Sequence, residues 1–145
     1  MIKTPYPPIV AVKPGPGCTL TVTWKDGTVH GIDLGGWLAE HPPLGPLLAD
    51  DALFATVQVG EWGGDLHWTD DLEIPDDVLW SLGLEQDAAR FREWRKSRGL
   101  TQEQAAAELG ISTRMVTYYE AGSHPIPKTV TLARFGFDAL RQMAA

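Results

Sequence analysis

The chain has 145 residues, of which 43% are hydrophobic, and it carries a formal net charge of −7. This length allows one large or two small domains, and the hydrophobic fraction is sufficient for a buried core. No apolar run approaches the roughly 20 residues of a membrane span, and the start MIKTPYPPIV lacks the apolar segment of a signal peptide. We therefore expect a cytoplasmic protein that is not inserted in a membrane. The single cysteine, Cys18, excludes an internal disulfide.

Charged residues are divided unevenly along the chain. Residues 1–84 contain 3 Lys and no Arg against 12 Asp and Glu, a net charge of −9. Residues 85–145 contain 9 Lys and Arg against 7 acids, a net charge of +2. Because nucleic acids are polyanions, only the second part is expected to lie against phosphate. The acidic first part is instead suited to a basic protein partner.

The first half of the chain shows the pattern of short antiparallel strands. Strands are predicted in the segments IVAVKP, CTLTVTW and TVHGIDL, separated by the turn sequences PGPG and KDG. The second segment alternates by twos, so that one face carries Leu20, Val22 and Trp24 and the other carries Thr19, Thr21 and Thr23. A three-stranded antiparallel sheet follows from this pattern.

The stretch between this sheet and residue 82 is richer in Gly and Pro. We expect one or two helical turns around residues 44–48, and then strands in LFATVQVGEW and DLHWTDDLEIP, on either side of a turn at 63–65. Pro75 and the acids after it predict a short helix that ends at Leu82. A domain boundary is predicted between Ser81 and Asp87, giving domains 1–83 and 84–145.

A helix-turn-helix pattern lies between Phe91 and Gly122, behind a supporting helix. Thr101 and Gln104 form a capping-box pattern that starts one short helix. Gly110 is suited to end that helix, and Ser112 is suited to cap the next one, which leaves room only for a sharp corner.

The second motif helix has two different faces. Val116 and Tyr119 are three residues apart and are predicted to face inward. The outward face near the N-terminal half then carries Thr113, Arg114, Thr117 and Tyr118. This is the part of a recognition helix that reads base edges in the major groove, and Arg114 can donate two hydrogen bonds to guanine.

Three segments of this region carry a family resemblance. The sequences GLTQ at 99–102, LGIS at 109–112 and YEAG at 119–122 resemble the Xre family of phage-repressor and Cro-like DNA-binding domains. The resemblance implies an all-α, lambda-repressor-like domain that binds double-stranded DNA as a homodimer. It also implies an internal ion pair between Arg95 and Glu120. By position, Gln102 is expected to touch a phosphate.

The loop after the recognition helix departs from the Xre pattern. In the phage repressors this loop is often basic, but here the segment from residue 121 to residue 127 has no permanent positive charge before Lys128. Lys128 is therefore the expected backbone contact on this side, and backbone affinity is expected to be low. The alternative to a DNA-binding domain is that the same helices form a small bundle that contacts another protein, since a fold does not fix a function.

The first half also resembles a known family. Phrases such as WKDG at 24–27, IDL at 32–34, LFATV at 53–57 and LHW at 66–68 are similar to domain of unknown function family 2442. The resemblance implies a small α+β domain with a role in regulation and implies no reaction. Together the two halves predict an α+β protein, in which a small antiparallel-sheet domain precedes the helix-turn-helix domain.

No catalytic or metal-binding pattern emerges. The four histidines at positions 30, 41, 67 and 124 lack ligand spacing, so neither a metal nor another cofactor is expected. The glycine-rich EWGGD at 61–65 lacks the lysine of a phosphate cradle and is interpreted as a turn. One group of acids is interpreted as a solvated surface, and a cation site or a carboxylate pair is the alternative. These acids are Asp70, Asp71, Glu73, Asp76 and Asp77. We do not expect an enzyme.

The six tryptophans and the last helix offer candidate interfaces. Trp24, Trp62 and Trp68 are predicted to fill the sheet core, with Trp37 and Trp80 covering it, or else to form a partner surface. The helix after Pro127 carries more apolar residues than a capping helix needs, namely Leu132, Phe135, Phe137, Leu140 and Met143. Two functions remain open: a DNA-binding transcription regulator, and an antitoxin-like protein whose acidic domain binds a partner protein.

Overall fold

The structure is a computed structural model that describes residues 6–144. It divides into two compact units, one ending at Gly83 and the other beginning at Leu84. The first unit contains two three-stranded antiparallel sheets with short helices, and the second is entirely helical. This confirms the predicted α+β class. Within residues 6–144, no helix is long and apolar enough to cross a membrane.

The first sheet has the order β1-β2-β3 and confirms the three predicted strands. Their bounds are Ile9–Pro14 for β1, Thr19–Trp24 for β2 and Val29–Asp33 for β3. Leu20, Val22 and Trp24 are buried, whereas the threonines between them are exposed or half-buried. The period-two pattern therefore assigned the core face of β2 correctly.

Short helices and a second sheet follow. The helices are α1 (Gly35–Ala39), α2 (Gly45–Ala49) and α3 (Asp51–Phe54), and a 3-10 turn at Pro42–Leu44 precedes α2. The second sheet has the order β4-β5-β6, with bounds Gln58–Val59, Asp65–Thr69 and Leu72–Pro75. This stretch contains more helix than the sequence predicted.

Two strand predictions in this region are wrong. Most of LFATVQVGEW is not a strand, because Asp50 caps α3 by accepting a hydrogen bond from the Leu53 amide at 3.1 Å. A local cap thus overrides the β-propensity of the segment. The segment DLHWTDDLEIP is not one strand but the β5-β6 hairpin, in which Asp70 and Asp71 form the turn.

A single long helix, α4 (Asp76–Ser97), replaces the predicted short helix and separate supporting helix. Gly83, the residue after the predicted helix end at Leu82, lies inside α4. A Cβ atom on Gly83 would be only 2.3 Å from His30 Nδ1, so glycine is required there by the close approach of a buried side chain. The His30 ring in turn accepts a hydrogen bond from Trp24 Nε1 at 3.0 Å.

The tryptophans divide between core and surface. Trp24, Trp68 and Trp80 are buried, and Trp24 and Trp80 meet edge to face at a centroid distance of 4.9 Å. Trp37 is half-buried and stacks on His41. The core prediction for Trp62 is wrong, because this side chain is 88% exposed, at a 3-10 turn over Glu61–Gly63.

The second unit packs the C-terminal half of α4 against α5 (Gln102–Leu109), α6 (Thr113–Ala121) and α7 (Lys128–Ala144). Its core is built from Phe91, Trp94, Ala105, Ala106, Leu109, Val116, Tyr119, Ile126 and Val130. The two alanines of α5 are small enough for neighbouring helices to approach closely. Phe137 of α7 lies edge to face against Trp94 at 5.5 Å.

Gly83→Ala is expected to destabilise the protein. In an exposed helix interior this change usually stabilises by about 1 kcal/mol, but here the methyl group would collide with the buried His30 ring. We expect a loss on the order of 1–3 kcal/mol in the free energy of unfolding, measured by urea denaturation. The matched control is Gly36→Ala in α1, where a Cβ would meet no atom within 4 Å. Equal stability of the two variants would contradict this account of α4.

Candidate nucleic-acid interface

The corner between α5 and α6 is set by local capping. The Thr101 hydroxyl accepts from the Gln104 amide at 3.1 Å, and the Gln104 side chain accepts from the Thr101 amide at 2.9 Å, which confirms the capping box. Gly110 then adopts the left-handed conformation (φ 71°), and Ser112 caps α6 by accepting from the Met115 amide at 3.1 Å. These contacts fix where α6 begins.

The two faces of α6 are as the sequence predicted for five of the six residues assigned to them. Val116 and Tyr119 are buried in the core of the second unit, and burial raises the pKa of Tyr119. Thr113, Arg114 and Thr117 are exposed. The outward face at the N-terminal half of α6 is therefore open to a ligand.

An ion pair fixes the C-terminal end of α6 to α4. Arg95 Nε lies 2.6 Å from Glu120 Oε2, and Arg95 Nη2 lies 2.9 Å from Glu120 Oε1. The Glu120 side chain is only 6% exposed, and hydrogen bonding to it raises the pKa of Arg95. Arg95 Nη1 also donates to the Leu100 carbonyl, and Arg92 donates to the Glu120 carbonyl. Both the side chain and the backbone of Glu120 are thus held.

A stack of three side chains lies beside the exposed face of α6. The guanidinium carbon of Arg114 is 5.8 Å from the centroid of the Tyr118 ring, and the Tyr118 ring stacks on His124 at 4.6 Å. Gly122 (φ 70°) reverses the chain after α6, and the Ser123 amide and hydroxyl both donate to the Tyr118 carbonyl. Tyr118 is therefore half-buried and supports Arg114, a role that the sequence analysis did not assign.

A sequence signal for part of this stack was available. Residues 114 and 118 are four apart on one helix, a spacing that places two side chains on the same face. The position of His124 has no such signal, because it depends on the left-handed turn at Gly122. A guanidinium that already lies against an aromatic ring has less freedom to lose when it binds a ligand, which lowers the entropic cost of binding.

The remaining predicted contact residues are placed as follows. Gln102 is half-buried at the start of α5, with Nε2 3.4 Å from Glu120 Oε1. The Thr117 hydroxyl donates to the Thr113 carbonyl at 3.1 Å, so the Thr117 side chain retains a methyl group and acceptor lone pairs for a ligand. Lys128 is exposed at the first position of α7.

A second ion pair anchors α7 to Arg98, the residue after the end of α4. Arg98 Nε and Nη2 donate to the two carboxylate oxygens of Asp138 at 2.9 and 2.8 Å, and Trp94 Nε1 also donates to Asp138. The hydrogen bonds from Arg98 lower the pKa of Asp138. In the described part of the chain, no three His, Cys, Asp or Glu side chains are grouped as metal ligands.

Comparison with known proteins places the chain in a family. Residues 9–84, more than half of the chain, match the family described as "Protein of unknown function (DUF2442)". The chain belongs to the DUF2442 family. A second match covers residues 88–136 of this DUF2442 protein and is described as a helix-turn-helix domain. It includes the whole of α5 and α6.

A solved structure resembles this DUF2442 protein along most of its length. The crystal structure of "Putative DNA Binding Protein NE0471" from Nitrosomonas europaea ATCC 19718 is 35% identical, covering 97% of this chain and 92% of that one. The TM-score is 0.54. A comparison with curated proteins finds no significant match.

Arg95→Ala is expected to destabilise the second unit strongly. The substitution leaves the Glu120 carboxylate buried without its charged partner, which costs on the order of 3 kcal/mol. Chemical denaturation monitored by helical circular dichroism measures the loss, and Lys96→Ala, at an exposed position of α4, is the control. An unchanged unfolding midpoint for Arg95→Ala would show that the pair does not hold α6.

Proposed function

We propose that the protein is a non-enzymatic, Xre-like transcription regulator that binds operator DNA with α6 in the major groove. The observation that carries this proposal is the outward face of α6, where Thr113, Arg114 and Thr117 are exposed while the opposite face is buried in the core. The helix-turn-helix match and the resemblance to NE0471 support it. The cytoplasm is the proposed location.

The proposed contact residues divide into three roles. Arg114 donates two hydrogen bonds to guanine O6 and N7 and is oriented by the Tyr118 ring. Thr113 and Thr117 offer single hydrogen bonds or methyl contacts to thymine. Gln102, at the N-terminus of α5, and Lys128 contact phosphate oxygens.

Electrostatics make a single copy a weak binder. The net charge of residues 85–145 is only +2, and the first part of the chain carries −9 and is repelled by DNA. One recognition helix also reads few base pairs, whereas dimers of such domains read two half-sites about one helical turn apart. We therefore propose that a homodimer binds the operator, with low affinity for unrelated sequences.

Arg114→Ala is expected to relax sequence specificity. A bidentate contact discriminates between bases by about 1–3 kcal/mol, so its loss lowers affinity for a duplex selected from a random library by about 5- to 150-fold. Affinity for a scrambled duplex of the same length falls much less. Fluorescence anisotropy at fixed salt measures both values. Equal losses on the two duplexes would mean that Arg114 only touches phosphate.

Lys128→Ala is expected to act on all sequences alike. Removing one phosphate contact weakens the selected and scrambled duplexes equally and reduces the slope of log affinity against log salt by about one unit per copy. A salt series with both duplexes measures this slope. A sequence-dependent loss would instead place Lys128 against a base.

A second candidate function is favoured by Trp62. Among the described residues, Trp62 is the only one other than glycine with a positive φ (62°), and its indole is 88% exposed. The adjacent Gly63 is fixed in place, because a Cβ there would lie 2.4 Å from the Ile9 carbonyl oxygen. Strain that presents an aromatic side chain to solvent is typical of binding sites. We propose that this turn binds a basic protein partner, as an antitoxin binds its toxin.

The variant Trp62→Gly tests this second function without destabilising the protein. Glycine relieves the left-handed strain and little buried surface is lost, so the free energy of unfolding should be unchanged or raised by up to about 1 kcal/mol. In quantitative pull-downs from the source cell, a partner retained by the wild type and by Arg114→Ala should be lost with Trp62→Gly. Identical partner sets for wild type and Trp62→Gly would remove the second candidate.

A further inference from the structure

An apolar stripe runs along the side of α7 that faces away from the core. Its large members are Leu132, Phe135, Leu140 and Met143, which are 54, 63, 68 and 81% exposed. Gly136 and Ala139 lie between them and are also exposed. These six residues recur at helical spacing and form one continuous face, which we call the α7 stripe. The core face of the same helix carries Val130 and Phe137.

Gly136 is the least expected member of the α7 stripe. Glycine is among the poorest helix formers, and Gly136 lies in the middle of a 17-residue helix. A Cβ atom on Gly136 would meet no atom within 4 Å, so packing inside the chain does not require glycine. A small residue on an exposed helix face is explained when another helix crosses closely over it.

The α7 stripe is complementary to itself under a two-fold rotation. When two copies of α7 run antiparallel, with an axis at the level of residues 137 and 138, each stripe residue faces another stripe residue. Leu132 then faces the second copy's Met143, and Phe135 faces its Leu140. Gly136 faces Ala139, so the two small residues meet at the crossing and the large ones pack on either side.

We propose that the α7 stripe binds the α7 stripe of a second copy of the chain in this antiparallel register. A two-fold interface requires a patch that complements itself, and the α7 stripe meets this requirement with all six residues. The stripe contains no ionisable side chain, so pairing buries no charge. Arg134 and Asp138 are engaged on other sides of α7, with the Phe91 ring and with Arg98 respectively.

The size of the α7 stripe predicts the strength of the dimer. Four large side chains at these exposures provide on the order of 1,000 Å² of buried surface for the two copies together, at the low end for specific interfaces. We therefore expect a reversible dimer with a dissociation constant in the micromolar range. This pairing does not rest on the proposed DNA binding, and its tests contain no DNA.

The first test uses Gly136→Glu in the full chain, with sedimentation equilibrium from about 1 to about 200 µM, a range chosen for a weak interface. The wild type should shift from monomer to dimer mass over this range, and Gly136→Glu should remain monomeric. Because glutamate is the better helix former and has open space at this position, the variant should be at least as stable as the wild type. Ala107→Glu, at an exposed position of α5, is the control and should dimerise normally.

The second test fixes the register with introduced cysteines in a Cys18→Ser background. An equimolar mixture of Leu132→Cys and Met143→Cys should form an intermolecular disulfide on mild oxidation. Each variant alone should cross-link at least ten-fold less, because two copies of one position lie about 16 Å apart along the helices, beyond the roughly 7 Å Cα separation that a disulfide spans.

Three results would overturn the proposal. A wild type that stays monomeric at every concentration would show that the α7 stripe is not self-associating. A dimer that persists in Gly136→Glu would assign the contact to another surface. Cross-linking of either cysteine variant with itself as efficiently as in the mixture would exclude the antiparallel register.

Discussion

The arrangement of the second unit depends on the ion pair between Arg95 and Glu120. Glu120 lies in the last turn of α6, and its carboxylate would be unfavourable in a nearly buried position without the two hydrogen bonds from Arg95. Because Arg95 belongs to α4 and also holds the Leu100 carbonyl, one side chain joins the supporting helix, the start of the motif and the recognition helix. Because the C-terminal end of α6 is held in this way, the face at its N-terminal half is exposed.

Local sequence signals were sufficient for much of this unit. Thr101, Gly110 and Ser112 act through their own backbone and near neighbours, so their effects could be predicted without knowledge of distant contacts. The stack of Tyr118 on His124 could not, because it depends on how the chain returns after Gly122. We therefore propose that Tyr118 acts less as an independent DNA contact than as a support for Arg114.

Local sequence signals were less successful in the first unit. The alternation in β2 predicted its buried face, since strand periodicity is also a local property. The predicted helix ended at Leu82, whereas α4 continues through Gly83, where glycine is required by a His30 ring more than 50 positions earlier in the chain. Trp62 was predicted to fill the sheet core because it ends a predicted strand, whereas a left-handed turn beside the tightly packed Gly63 directs it into solvent. Both errors come from contacts between residues distant in sequence.

Amide chemical-shift mapping with a library-selected duplex tests most sharply whether the outward face of α6 reads DNA. If it does, selection enriches a two-fold symmetric sequence, and the largest shifts fall on residues 113–118 and on Gln102. A selection that enriches no sequence, or shifts confined to residues before Leu84, would contradict it.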